Sequence, residues 1–244
     1  CVNALASFPF KNPSTLLLFW ADVSFIGGIY RKRVVEKKID VSYSLLKCYL
    51  LIFIIAGLIL SYMGLQASRY IYLARNTQGE TSLQFAEKAS MYNPFSFTCT
   101  FLTAKIADSL GEYEKAYRYI FLAKRLYPYS DVIYNNLGLI YFKTGRIKEA
   151  EESYLYALKL NPSMVSGYNN LGILYIETDR YDEALSCFKK ALSIKPDFVV
   201  TYFNLGLAYS LKKDYKQARI YLEKALEINP AFTDARRLLT QLEK

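Results

Sequence analysis

The feature that most constrains this chain is a self-similarity at 34 residues. The stretches DVIYNNLGLIYFKTGRIKEAEESYLYALKLNP, SGYNNLGILYIETDRYDEALSCFKKALSIKP and TYFNLGLAYSLKKDYKQARIYLEKALEINP superpose on one another. Tyr134, Tyr168 and Tyr202 coincide, as do Leu137, Leu171 and Leu205, and Gly138, Gly172 and Gly206. So do Tyr141, Tyr175 and Tyr209, Ala150, Ala184 and Ala218, and Ala157, Ala191 and Ala225, while Pro162, Pro196 and Pro230 close each unit. A fixed period of this length belongs to architectures built by stacking one supersecondary unit. With Asp131 as position 1, the recurring positions 4, 7, 8 and 11 share one face of a helix. Gly138 and Ala150 are small where two antiparallel helices must approach closely. Gly145, Asp179 and Lys213 stand in the turn between the helices. Pro162 ends the second helix, because a proline lacks the amide that the next turn needs. Such a hairpin cannot bury its apolar faces alone and can do so when stacked.

This pattern resembles the tetratricopeptide repeat, and the resemblance implies an all-α solenoid. Three good copies occupy 131–164, 165–198 and 199–232. A looser copy at 97–130 keeps Gly111, Ala116, Ala123 and Pro128, with Thr103, Ala104 and Ala107 in place of Leu, Gly and Tyr. A degenerate half-copy at 66–96 has Ala89 in register and ends at Pro94. Residues 233–244 read as a polar closing helix, so the expectation is about four and a half repeats plus a cap.

On each first helix, positions 2, 6, 9 and 13 point away from the expected buried face, at 100° per residue. In stacked repeats that side lines a groove. Position 6 is Asn136, Asn170 and Asn204, and position 9 is Leu139, Ile173 and Leu207, with Asn135, Asn169 and Phe203 alongside at position 5. An asparagine amide both donates and accepts, so such a ladder suits the backbone of an extended peptide. The opposing reading is that these asparagines bond locally or to water. Position 9 is apolar in the three good copies, which argues against a clamp for a terminal carboxylate. The expected partner is a protein or extended peptide.

The first third of the chain is different. Cys48 to Leu65, CYLLIFIIAGLILSYMGL, carries no charge and is long enough to span a bilayer. Pro13 to Tyr30 is a second apolar stretch, with Asn12 placed to cap it and Asp22 near its middle. An ionisable residue inside a span either bonds to another helix or acts directly. Between them, segment 31–47 holds Arg31, Lys32, Arg33, Lys37, Lys38 and Lys47 against Glu36 and Asp40. The expectation is a membrane hairpin over 1–65 with spans at 13–30 and 48–65. The positive-inside rule puts its basic loop 31–47 in the cytoplasm and everything after Leu65 outside. The second span is expected to run on, or nearly so, into the half-copy.

Composition narrows function further. The chain has no His, which removes a His triad, a His-ligated metal and a His general base from these residues. Cys1, Cys48, Cys99 and Cys187 form no CxxC pair. Of the net charge of +9, +4 sits in the loop between the spans and +4 is spread thinly over residues 97–244, so nucleic-acid binding is not expected. No catalytic residue, cofactor or metal is assigned.

One more resemblance lies at the N-terminal end. NALASFPFKNPSTLLLFW is similar to the last membrane segments of O-antigen ligase/polymerase-like proteins, which show a Phe-Pro-x-x-x-Pro break before an aromatic-rich span. Several of them end in a membrane hairpin and extracytoplasmic tetratricopeptide repeats. With no initiator Met, the expectation is the C-terminal part of such a protein, integral to a bacterial-type inner membrane with a periplasmic repeat domain. The lipid bilayer and proteins of envelope polysaccharide assembly are then its partners. Two alternatives stay open: the non-catalytic portion of a glycan ligase, whose repeats stabilise the enzyme or guide acceptor, and a soluble cochaperone.

Overall fold

Two helices of 13 and 14 residues, joined by a three-residue turn, recur through the chain because small residues recur where the helices cross. The structure is a computed structural model that describes residues 43–242. The expected first span 13–30, with Asp22, and residues 31–42 of the basic loop lie outside the described residues. The chain divides into two units, Cys1–Ser61 and Tyr62–Lys244.

The described part of the first unit is the start of helix α1 (Tyr43–Asn76), whose apolar side chains from Tyr49 to Leu60 stand exposed. The expected loop end 43–47 is therefore already helical. Among the described residues one helix is long and apolar enough to cross a membrane, over Lys47–Asn76. The rest of α1 belongs to the second unit, which continues as α2 (Gly79–Tyr92), α3 (Phe97–Ser109), α4 (Tyr113–Leu126) and α5 (Asp131–Lys143). It goes on through α6 (Ile147–Leu160), α7 (Val165–Glu177), α8 (Tyr181–Ile194), α9 (Val199–Leu211), α10 (Tyr215–Ile228) and α11 (Thr233–Leu242). No strand occurs among the described residues.

First helices occupy positions 1–13 of each unit and second helices positions 17–30. Position 15 must turn the chain with a left-handed residue: Gly111 and Gly145 have φ of 77° and 76°, Asp179 and Lys213 of 57° and 63°. Glycine takes this conformation without steric cost, whereas a Cβ meets the following carbonyl. Asp179 offsets some of this by accepting a 2.5 Å hydrogen bond from the Tyr181 hydroxyl.

The crossing within each unit pairs position 8 with position 24. A methyl group on Gly138 would lie 2.7 Å from the Tyr154 ring, and one on Gly206 would lie 2.7 Å from Leu222. At Gly172 it would enter the space of the Phe188 ring. Buried alanines flank the crossing at position 20 (Ala116, Ala150, Ala184, Ala218) and position 27 (Ala123, Ala157, Ala191, Ala225).

The buried face of the first helix is wider than the repeat pattern alone implies. Positions 3 and 10 are buried as well: Ile133 and Ile140 share a cluster with Ile120 and Ala123 of the preceding unit. Positions 3, 7 and 10 thus pack backward onto the previous hairpin, while position 8 packs on its own second helix. First helices also touch one another, α5 with α7, α7 with α9 and α9 with α11, and each second helix touches the next first helix. The first helices therefore form the inner wall of the stack. Helix α11 closes it by burying Ala235 against Leu222 and Ala225, with Leu238, Leu239 and Leu242 beside them.

In the looser copy, Ala104 replaces glycine at position 8, and its partner at position 24 is Ile120, where the good copies have Tyr154, Phe188 and Leu222. Thr103 replaces leucine at position 7. Its buried hydroxyl lies 2.8 Å from that of Ser90 and 2.9 Å from the carbonyl oxygens of Ala86 and Cys99. Further back, Ser82 at position 20 donates to the Ala74 carbonyl at 2.6 Å, tying α2 to the end of α1.

Two substitutions test these contacts by thermal and urea unfolding. Gly172→Ala overpacks the Phe188 contact and is expected to destabilise by about 1–3 kcal/mol. Lys213→Gly removes the left-handed strain and is expected to stabilise by roughly 0.5–1 kcal/mol, net of the entropy that glycine adds to the unfolded chain.

Candidate binding groove

The inner wall carries the predicted residues, and hydrogen bonds between consecutive units decide which of them face a ligand. Asn170 donates from Nδ2 to Oδ1 of Asn135 at 3.0 Å. One unit on, the Asn169 Oδ1 accepts from the Thr201 hydroxyl at 2.9 Å and from Asn204 Nδ2 at 3.4 Å. Position 5 of one repeat is thereby stitched to position 6 of the next. Asn135, Asn169 and Asn204 are all buried, at 8%, 5% and 5% exposure. Phe203, the last residue at position 5, packs edge-on against Phe232 at 5.3 Å, next to the closing helix.

Asn136 and Asn170 remain half-buried on the wall. Asn136 donates to the Val132 carbonyl at 2.7 Å. Each of the two spends one N–H on the protein. An amide has two N–H donors and an oxygen, so each keeps its oxygen and a second N–H for another molecule. Leu139, Ile173 and Leu207 line the same side, half-buried, and Ile173 and Leu207 also pack against the core of the last three units. Val132, Val200 and Leu211 at positions 2 and 13 are exposed.

The structure adds a depression that the three good copies alone do not reveal. It is a shallow dimple where α3, α4 and α5 meet, lined by Phe101, Ala104, Lys105, Asp108, Ile120, Asn136 and Ile140. Lys143 bridges to both carboxylate oxygens of Asp108, at 2.7 and 2.8 Å, across the two first helices. Lys105 makes no ion pair among the described residues, so the depression presents one unneutralised positive charge. The Asp108 charge and, more strongly, burial push the phenol of nearby Tyr154 above its ordinary range. Phe101 and Lys105 occupy positions 5 and 9 of the looser copy. Carrying the groove positions back onto residues 97–130 is the signal that would have found them.

Beside the turns, Arg180 lies over the Tyr175 ring at 4.1 Å and pairs with Glu151 of the preceding unit at 2.9 Å. Tyr175 donates to the same Glu151 at 3.0 Å. Arg146 lies over Tyr141 at 4.4 Å in the equivalent place. The two contacts to Glu151 brace one hairpin against the preceding one. Cys99 is buried and Cys187 half-buried, and burial pushes the Cys187 thiol up to about 11. Among the described residues no cluster of His, Cys, Asp or Glu could hold a metal ion.

The hairpins and their stacking define a helical-repeat solenoid. The tetratricopeptide repeat family model matches residues 129–197 and 163–231, which identifies that stretch as tetratricopeptide repeats. Among solved structures, MamA is 26% identical over 62% of this chain and 88% of its own, with a TM-score of 0.54. A MamA from Desulfovibrio magneticus RS-1 is 19% identical over 70% of this chain and 98% of its own, with a TM-score of 0.59. YrrB, a tetratricopeptide repeat protein with an unusual peptide-binding site, is 20% identical over 86% of this chain and 96% of its own, with a TM-score of 0.56. The latter two likenesses show the fold. No curated protein sequence matches the chain.

The stitching bonds have a measurable worth. Asn169→Ala leaves the buried Thr201 hydroxyl and Asn204 amide without their acceptor and is expected to cost about 1–3 kcal/mol in urea unfolding. Asn136→Ala loses one exposed bond and is expected to cost under about 1 kcal/mol.

Proposed function

We propose that this chain is a membrane-anchored scaffold whose groove holds an extended segment of a protein partner on the extracytoplasmic side. The observation that carries the reading is the pair Asn136 and Asn170, one repeat apart, each with an uncommitted amide oxygen. Together they can accept two backbone N–H groups of an extended chain, while Leu139 and Ile173 offer apolar contact beside them. The exposed Lys105 beside Phe101 favours an acidic side chain next to the Asn136 end of the pair. The peptide-binding site of YrrB supports the same use of this fold. Binding of peptide backbone by side-chain amides leaves specificity to the side chains beside them.

Anchoring rests on α1, whose uncharged run Cys48–Leu65 is exposed along its length from Tyr49 to Leu60, and on the basic segment that precedes it. The similarity of residues 3–20 to O-antigen ligase/polymerase-like proteins supports a finer reading: the partner serves envelope polysaccharide assembly. On that similarity the repeats could equally serve a glycan ligase directly, by stabilising it or guiding its acceptor.

The test uses the full chain in lipid nanodiscs. Peptides are selected by display against it and their affinities measured by calorimetry. The double variant Asn136→Ala/Asn170→Ala is expected to weaken a selected peptide by about tenfold, from two hydrogen bonds of about 0.5–1.5 kcal/mol each. Leu155→Ala on a second helix leaves affinity unchanged. Unaltered affinity in the double variant, or failure to select any peptide, overturns the groove.

A further inference from the structure

One edge of the solenoid carries apolar side chains that neither the core nor the groove uses. It is formed by the loops that lead from each second helix to the next first helix. At position 33 of these loops stand Phe95, Tyr129, Ser163, Asp197 and Ala231. At this position the aromatic residues are confined to the two loops nearest α1 and are highly exposed, Phe95 73% and Tyr129 81%, whereas Phe198 and Phe232 of the farther loops stand one position on and are half-buried. Met91, at the end of α2, is 76% exposed, and Tyr127 is also exposed. Lys124 and Arg125 end α4 on the same edge, and no acidic residue lies in that last turn. A solvated loop edge has no use for aromatic groups at these positions, and the farther loops replace them with small or polar ones.

The register of α1 against α2 shows what this edge faces. Ser82 bonds to Ala74, and Ala67 shares a small core with Ala89. Tyr70 stacks on Phe85 at 6.1 Å and on Tyr92 at 5.6 Å. The two segments are therefore antiparallel, and each step back along α1 is matched by a step forward along α2. Continuing that register sets Met91 level with Leu65 and Tyr92 level with Gly64. Phe95 follows three residues later, in the loop beyond the end of α2, and Tyr62 and Leu65 of α1 are themselves exposed.

We infer that the edge bearing Met91, Phe95, Tyr127 and Tyr129 seats in the headgroup region of the bilayer. This rests on the reading of α1 as a membrane span. Aromatic side chains concentrate at that depth because their rings are amphipathic, and Lys and Arg stems lie along it with their charges in water. The edge thus fixes the solenoid at the membrane surface at a second place besides α1. The groove of the first repeats is then held at a set height above the lipid, where a partner anchored in the same membrane reaches it.

The test is fluorescence quenching of the full chain in vesicles of phosphatidylcholine and phosphatidylglycerol. Trp20, the only tryptophan, is first replaced by Phe, and one reporter is then introduced at a time: Phe95→Trp, Tyr129→Trp, Ser163→Trp or Leu58→Trp. Lipids brominated near the headgroup are expected to quench the first two reporters at least about twofold more than the Ser163→Trp reporter. Lipids brominated at mid-chain quench Leu58→Trp. If Leu58→Trp is quenched while Phe95→Trp and Tyr129→Trp behave like Ser163→Trp, the seated edge is refuted and the span stands. If Leu58→Trp is not quenched, the span fails and the edge inference falls with it.

Discussion

Close approach of two helices at a single crossing point governs the rest of this protein. Helices packed through ordinary side chains sit 8–10 Å apart. Here glycine at position 8 lets Tyr154, Phe188 or Leu222 fit directly against the opposing backbone. The buried alanines at positions 20 and 27 extend that contact along the second helix. With the hairpin closed this tightly, positions 3, 7 and 10 of the first helix are left to pack on the preceding hairpin. One tight crossing, repeated every 34 residues, therefore sets both the unit and the way units stack. In the looser copy Ala104 stands in the glycine's place opposite Ile120, and both stay in one buried cluster.

Polar contacts then join the units side to side. The bonds from Asn170 to Asn135 and from Thr201 and Asn204 to Asn169 run between first helices one repeat apart. A buried amide must be satisfied or it costs more than it contributes. These asparagines satisfy one another, and their burial is the reason they are not all available to a ligand. Asn136 and Asn170 keep spare capacity because they lie on the open side. Lys143 with Asp108 adds a partly exposed pair across the first two full units. The open polar face of the first helices is thus what remains after stacking has taken its share.

The hairpin periodicity, the small residues at the crossing and the closing prolines were all legible in the residues. Each acts through neighbours within one unit, and those neighbours follow from helical spacing. The looser copy was harder to read, since Thr103 replaces an apolar residue with a hydroxyl that makes sense only beside Ser90 and Ala86. The depression at Phe101 and Lys105 was missed for a related reason. Its lining comes from three helices of two units, Phe101 and Lys105 of α3, Ile120 of α4 and Asn136 of α5.

The sequence by itself determined the helical hairpin, its length and its number of copies, because backbone hydrogen bonding and side-chain spacing are local. It also determined where a long uncharged helix stands ahead of the repeats. Which asparagines are buried, and which residues of α3 and α4 come to lie beside Asn136, were decided only by the tertiary structure. Those properties depend on side chains about 35 residues apart in the chain, brought together by stacking geometry that no single unit encodes.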